Sequence, residues 1–144
     1  MGAMQEEIVV RFMDAWSNGG AETPDIETIM SMFADDIEWA LWILGGPTLR
    51  GKEAVRKDIE RQITWAKFMR CGPSHVASVG NVVFTERVDN FVTNGTTIEH
   101  HLVAVFELND EGEITAWREY FDTNDIDRQL SATKIVVPKV AKQA

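Results

Sequence analysis

Apolar residues change their spacing along the chain, from three and four apart in the first half to every second position in the second half. The first spacing recurs in 5–18, from Thr23-Pro24 to Phe33, and in 52–68, which predicts three amphipathic helices. The run 37–44 is apolar on both faces, as in a strand covered on two sides. The alternating pattern predicts strands at 75–79, 82–93, 96–108 and 113–122, with a short helix at 125–130.

Glycine and asparagine mark the turns between these elements. Turns are predicted at Gly80-Asn81, Asn94-Gly95 and Asn109-Asp110-Glu111-Gly112, and at Asp35-Asp36 before the first strand. Asn94-Gly95 is a hairpin signal, because both of its positions tolerate positive φ. The order of helices, one strand, a helix and an antiparallel meander indicates an α+β fold. We expect a curved mixed or antiparallel sheet wrapped over three N-terminal helices, with a concave pocket inside.

Length and charge narrow the classes of function. The chain has 144 residues and a net charge of −9, which fits one domain and argues against binding to nucleic acid or an anionic membrane. A single cysteine, Cys71, excludes an internal disulfide framework, and no run is long enough to span a bilayer. We predict a cytoplasmic domain over 4–131, a cloning remnant at residues 1–3 and a tail at 132–144.

Two strands carry the candidate chemistry. Side chains alternate along a strand, so Arg87 and Asp89 share one face, and Glu119 shares a face with Trp117 and Phe121. If both strands belong to one sheet, the guanidinium of Arg87 can bridge the two carboxyls. Two acids in one pocket do not both ionise easily, so one keeps its proton and can act as an acid while the other acts as a base. On spacing alone, an ordinary cross-strand salt bridge explains the same residues.

Several segments resemble the limonene epoxide hydrolase family. The resemblance covers roughly Ile8 to Leu130 and includes Asp35-Asp36. Its motifs are Thr85-Glu86-Arg87-Val88-Asp89, Ala104-Val105-Phe106-Glu107-Leu108, Ile114-Thr115-Ala116-Trp117-Arg118-Glu119-Tyr120-Phe121-Asp122 and Arg50-Gly51-Lys52-Glu53-Ala54-Val55. The resemblance implies the cone-shaped NTF2-like or SnoaL-like fold, usually as a dimer.

The resemblance also implies roles for single residues. Arg87 falls on the family's bridging arginine, Asp89 on its acid, and Glu119 on the aspartate that activates water. Trp39 and Leu41 fall on the tyrosine and asparagine that hold this water in the family, and neither side chain can accept a hydrogen bond from it. The implied reaction needs no cofactor and no metal.

The remaining candidates are residues that can form the wall of an apolar pocket. His100 and His101 are adjacent in a predicted strand and point to opposite faces, so they cannot bind one metal ion together. For each apolar candidate, plain core packing explains the position as well as substrate binding does. The predicted substrate-binding residues are Trp39, Leu41, His100, Leu102, Trp117 and Phe121.

The sequence therefore predicts an epoxide hydrolase-like enzyme that opens a small apolar epoxide with water. An isomerase, dehydratase or cyclase of the SnoaL or ketosteroid-isomerase type, or a non-catalytic ligand-binding module, is the alternative, because fold alone does not choose the activity. A sheet that is apolar on both faces needs two covers, which predicts a homodimer. The candidate contact residues on the outer face are Val103, Val105, Arg118 and Tyr120.

Overall fold

One six-stranded sheet and four helices make up residues 2–141, the part of the chain that the computed structural model describes. Met1 and 142–144 lie outside the described residues, and so do the parts of the predicted cloning remnant and tail that fall on them. The helices are α1 (Gly2–Ser17), α2 (Ile26–Ser31), α3 (Lys52–Gln62) and α4 (Thr123–Ala132). The strands are β1 (Phe33–Ile43), β2 (Thr48–Arg50), β3 (Lys67–Val79), β4 (Val82–Thr93), β5 (Thr96–Leu108) and β6 (Ile114–Tyr120).

The sheet has the strand order β2-β1-β6-β5-β4-β3. Strand β1 runs parallel to β6, and every other neighbouring pair is antiparallel. The predicted two-residue hairpin turn is present, because Asn94 and Gly95 have φ values of +52° and +78°. This mixed, curved sheet with helices packed against it confirms the predicted α+β class.

The core lies between α1 and the inner face of the sheet. Phe12 of α1 is fully buried and makes edge-on ring contacts with Phe33, Phe106 and Trp117, at centroid distances of 5.4, 5.7 and 5.1 Å. Aromatic pairs in this arrangement are worth about 0.5–1.5 kcal/mol beyond their burial. The contacts fix α1 against the inner face of the sheet.

Three predicted boundaries are wrong. The third helix ends at Gln62 and does not reach 68. The next strand spans Lys67–Val79 and not only 75–79, because Gly72 and Pro73 hide its alternating pattern. The proline is tolerated because β3 is an edge strand. Asp35 and Asp36 form no turn but lie exposed in β1, where the pairing with β6 shifts register. Phe33, predicted in the second helix, is the first residue of that strand.

Smaller differences concern caps and short elements. The cap of α2 is Asp25, whose carboxylate accepts from the Thr28 amide at 3.2 Å, and not Thr23. The strand β2 was not predicted, because three residues carry no periodic signal. Strand β6 ends at Tyr120, and Asp122 caps α4 by accepting from the Asn124 amide at 2.9 Å.

No helix within residues 2–141 combines the length and the apolar character that crossing a membrane requires. The domain limits of 4–131 and the cytoplasmic location stay predictions.

Candidate active site

Arg87, Asp89 and Glu119 meet on the inner face of the sheet, and we refer to them as the Arg87 cluster. The Arg87 Nε donates to Asp89 Oδ1 at 2.9 Å, and Nη2 donates to Glu119 Oε2 at 2.9 Å. A third donor, Nη1, bonds Thr85 Oγ1 at 2.8 Å. The guanidinium therefore holds both carboxyls in fixed positions.

Glu119 lies on β6, which is separated from β4 by β5, so the guanidinium has to pass over the middle strand. The residue of β5 at this point is Ala104, which pairs with Thr85 on one side and with Glu119 on the other. Ala104 is fully buried, and its methyl group leaves room above β5 for the Arg87 side chain. Because Ala104 is small, the Arg87 side chain can reach from β4 across β5 to Glu119 on β6.

Burial controls the charges of the cluster. The side chains of Arg87, Asp89 and Glu119 are only 2%, 8% and 13% exposed. Burial raises the pKa of Glu119 to about 7, although the Arg87 charge opposes this shift and the Asp89 charge adds to it. Desolvation works against the charged form of Arg87, but the two carboxylates outweigh it and raise its pKa. Glu119 is thus poised to exchange a proton near neutral pH.

Asp89 is flanked by one residue from each neighbouring strand. Cys71 of β3 and His100 of β5 are its direct partners in the sheet and line the same cavity. Burial and the nearby Asp89 charge raise the pKa of the Cys71 thiol well above its usual range, so it stays a neutral donor beside that carboxylate. Burial lowers the pKa of His100 to about 4, which leaves the imidazole neutral.

An apolar cavity of about 170 Å³ opens above the cluster. All five tryptophans of the chain line it: Trp16, Trp39, Trp42, Trp65 and Trp117. Trp39 and Trp117 are partners across β1 and β6 and stack in parallel, with centroids 4.1 Å apart and planes at 1°. The indole N–H of Trp39 makes no hydrogen bond, yet it lies near enough to Glu119 to favour the charged carboxylate.

Five of the six predicted substrate-binding residues line this cavity: Trp39, Leu41, His100, Trp117 and Phe121. Leu102 is buried on the same strand, paired with Arg87, and is not among the lining residues. A substrate contact at Leu102, like the roles of the other predicted residues, stays a prediction.

Sequence reasoning missed the part of the wall that comes from helices. Arg61, Gln62 and Trp65 follow from α3 and the turn after it, and Ile126 and Leu130 come from α4. Only the pairing of Ile126 with Leu130 at helical spacing could have suggested an apolar face turned inward. The Arg61 guanidinium and the side-chain amide of Gln62 both donate hydrogen bonds to the buried carboxylate of Asp58.

Metal-binding groups do not cluster in this region. Within residues 2–141 no three His, Cys, Asp or Glu side chains are arranged to hold a metal ion.

A comparison with protein families identifies the architecture. The model of the limonene-1,2-epoxide hydrolase catalytic domain family matches residues 5–132. The chain belongs to this family. The predicted resemblance is confirmed, and membership in a family of epoxide hydrolase catalytic domains supports an enzyme of the hydrolase class.

Individual relatives agree with the family. The epoxide hydrolase EphG of Mycobacterium tuberculosis is 27% identical over 134 residues, which cover 92% of this chain and 84% of that protein. The solved structure of a limonene epoxide hydrolase-like enzyme from M. tuberculosis superposes with a TM-score of 0.75 at 24% identity, covering 92% of this chain and 93% of the other. At the level of the family, the function is epoxide hydrolase-like.

Two further solved structures share the fold. SalBIII, an epoxide hydrolase/cyclase-like enzyme described for its role in pyran ring formation in the polyether salinomycin, gives a TM-score of 0.74 at 22% identity over 85% of this chain and 94% of the other. A SnoaL-like polyketide cyclase from Shewanella putrefaciens gives 0.76 at 15% identity over 90% and 97%. These likenesses confirm the predicted NTF2-like, SnoaL-like architecture.

Proposed function

We propose that this member of the limonene epoxide hydrolase family opens a small apolar epoxide by acid and base catalysis with water. Asp89 is the general acid, Glu119 is the general base, and Arg87 holds both in place. The observation that carries the proposal is the Arg87 bridge, with 2.9 Å contacts to both carboxyls beneath an apolar cavity. Each proton-transfer role is typically worth about 10²–10⁴-fold in rate.

The reaction balances with the groups of the cluster alone. Glu119 removes a proton from water, whose oxygen forms a bond to an epoxide carbon while the carbon–oxygen bond of the epoxide breaks. The pair of carboxyls holds one proton, and in the reacting state this proton lies on Asp89 while Glu119 is ionised. The released oxygen takes the Asp89 proton, the product is a diol, and the proton that Glu119 gains returns to Asp89 before the next turnover. The raised pKa of Glu119, about 7, makes it a stronger base than an ordinary glutamate.

The cavity limits the size and polarity of the substrate. Its volume of about 170 Å³ is close to that of an engineered apolar cavity of about 150 Å³ that holds benzene. Five indole rings and the side chains of Leu41 and Phe121 contribute large apolar surfaces to the wall. This lining favours a compact cyclic epoxide, such as a cycloalkene or terpene epoxide, over a charged or extended substrate.

Product analysis in labelled water tests the proposal. We expect wild type to convert members of a panel of terpene and cycloalkene epoxides into diols that carry one labelled oxygen. Asp89→Asn and Glu119→Gln remove the acid and the base, so each should lower turnover at least 100-fold. Glu111→Gln, in the exposed turn before β6, is the matched control and should keep wild-type activity. Labelled diol that forms equally fast with Asp89→Asn would contradict the proposed acid.

A reaction without added water is the second candidate, and the residues at positions 39 and 41 favour it. The indole of Trp39 is a donor only and the side chain of Leu41 has no polar atom, so neither can accept a hydrogen bond from a bound water. In this case the carboxyls move a proton within an isomerase, dehydratase or cyclase reaction, as the cyclase-like names of the two structural relatives suggest. Conversion of an epoxy alcohol or an enone without uptake of label would favour this class.

We also propose a homodimer formed through the outer face of the sheet. Val103 and Tyr120 are partners on β5 and β6 and are 39% and 41% exposed, and Phe84 of β4 is 38% exposed. Val105, predicted with them, is already buried within the single chain, and Arg118 is paired with Glu107. Light scattering should give twice the chain mass for wild type and a smaller mass for Tyr120→Glu; a monomer at all practical concentrations would exclude this contact.

A further inference from the structure

His100 has unused hydrogen-bonding capacity in the cavity wall. It lies opposite Asp89 in the pairing of β4 and β5, and it lines the cavity. Its ring makes an edge-on aromatic contact with Phe121, with centroids 4.4 Å apart and planes at 79°. Neither ring nitrogen has a hydrogen-bond partner among residues 2–141. The imidazole is therefore oriented by an aromatic neighbour, while its nitrogens stay free.

Most other polar groups of the wall are already engaged or sealed. The Arg87 cluster is bonded within itself, and the side chains of Arg61 and Gln62 donate to the carboxylate of Asp58. The unpaired indole N–H groups of Trp16, Trp39, Trp65 and Trp117 have no surface that water can reach, whereas the nitrogens of His100 and the indole N–H of Trp42 are not among these sealed atoms. Beyond the Arg87 cluster, a ligand in the cavity thus finds His100 as an open side chain that can both donate and accept, while Trp42 can only donate.

The chemistry of this group is that of a neutral imidazole, because burial lowers the pKa of His100 to about 4. Such a ring offers one N–H donor and one nitrogen acceptor. A polar group facing an apolar ligand loses its water without receiving a partner, which disfavours binding. A hydrocarbon epoxide leaves His100 in this state, whereas a ligand with a second oxygen atom satisfies it.

We propose that His100 binds a second oxygen function of the substrate, a hydroxyl, ether or carbonyl oxygen close to the epoxide. Side chains directly opposite each other in an antiparallel pair have Cβ atoms about 4.5–5.5 Å apart. With Asp89 at the epoxide oxygen, His100 reaches an oxygen on a carbon next to the epoxide. The preferred substrate is then an oxygenated epoxide, such as an epoxy alcohol. This inference rests on the proposed epoxide opening at the same site.

A pair of compounds that differ in one hydroxyl tests the inference. The probes are cyclohexene oxide and the epoxide of cyclohexenol, and the readout is the ratio of their kcat/KM values. We expect wild type to favour the hydroxylated compound by about threefold to tenfold, the effect of one hydrogen bond, mainly through KM. His100→Leu should bring the ratio to about one, and His100→Gln, which keeps a donor and an acceptor, should retain part of it.

The chain offers a matched control in the next residue. His101 points to the opposite face and its side chain is 64% exposed, so His101→Leu should keep the wild-type ratio. Equal kcat/KM values for the two compounds in wild type, or an unchanged ratio in His100→Leu, would overturn the inference. Equal urea midpoints of the variants show that any change in the ratio does not come from unfolding.

A binding measurement separates this inference from the proposed function. If wild type turns over neither epoxide, the proposed hydrolysis is wrong, and the same two compounds are titrated against the tryptophan fluorescence of the cavity. A lower Kd for the hydroxylated compound in wild type, lost in His100→Leu, still supports a recognition role for His100. The same Kd for both compounds in wild type overturns it.

Discussion

Replacing Arg87 by methionine should destabilise the protein in a way that depends on pH. The substitution keeps an unbranched apolar stem and removes the charge that two buried carboxyls share. Removing one partner of a buried ionic group typically costs about 3–5 kcal/mol, because the remaining charges stay desolvated. We expect a loss of this size in the free energy of unfolding at pH 8, where both carboxyls are ionised in the unfolded chain.

The loss should be smaller at pH 5, and the sign follows from the proton balance. In wild type, the pKa of Glu119 is raised to about 7, so at pH 5 this carboxyl is already protonated in the folded protein and only the pair with Asp89 is lost. The Arg87 charge lowers the pKa of Glu119 in wild type, so its removal in Arg87→Met should raise that pKa further. The folded variant therefore binds more protons than the unfolded chain and gains stability as the pH falls.

Urea unfolding followed by tryptophan fluorescence, at one fixed protein concentration, measures both values. Arg118→Met is the matched control: its guanidinium pairs with Glu107 on the partly exposed outer face, so the expected loss is below about 1 kcal/mol at either pH. The triple variant with Asp89→Asn and Glu119→Gln should recover part of the loss. A loss below about 1 kcal/mol for Arg87→Met, or the same loss at both pH values, would refute the reasoning.

Two further predictions concern the Arg87 cluster. Because turnover needs one proton on the pair of carboxyls, kcat/KM should fall as the pH rises through about 7, where Glu119, with its raised pKa, gives up the last proton of the pair and Asp89 has none to donate; a stopped assay from pH 5 to 9 measures this, and a flat profile would contradict the proposed acid and base pair. Ala104→Leu fills the space over β5 and should separate the guanidinium from Glu119, which lowers kcat at least tenfold and moves the fall of kcat/KM to higher pH, whereas Ala104→Gly should keep both. An unchanged profile in the leucine variant would show that the bridge does not depend on this gap.

Part of the cluster can be worked out by counting along the sequence. Strand alternation places Arg87 and Asp89 on one face, and the Asn94-Gly95 hairpin fixes the register of β4 and β5. Counting back from that turn pairs Asp89 with His100. These relations need only the pleat of a strand and the geometry of a two-residue turn, so a sequence carries them locally.

The partner of Asp89 on β3 could not be predicted by the same counting along the sequence. From the Gly80-Asn81 turn, an unbroken ladder would pair Cys71 with Asn90 and turn its thiol away from the cavity. A register shift between Pro73 and His75 moves the pairing by one residue, so Cys71 lies opposite Asp89. The shift depends on how the edge strand bends around the core, and this information is not local.

The sequence by itself determined the fold class, the family and the three residues of the Arg87 cluster, because motif spacing and strand period act over a few residues. Tertiary structure decided what surrounds them. It converted the predicted end of the third helix into β3 and brought five tryptophans from four separate segments of the chain to one cavity. It also raised the pKa of Glu119 to about 7, since desolvation is set by everything packed around a carboxyl and not by its neighbours in the chain.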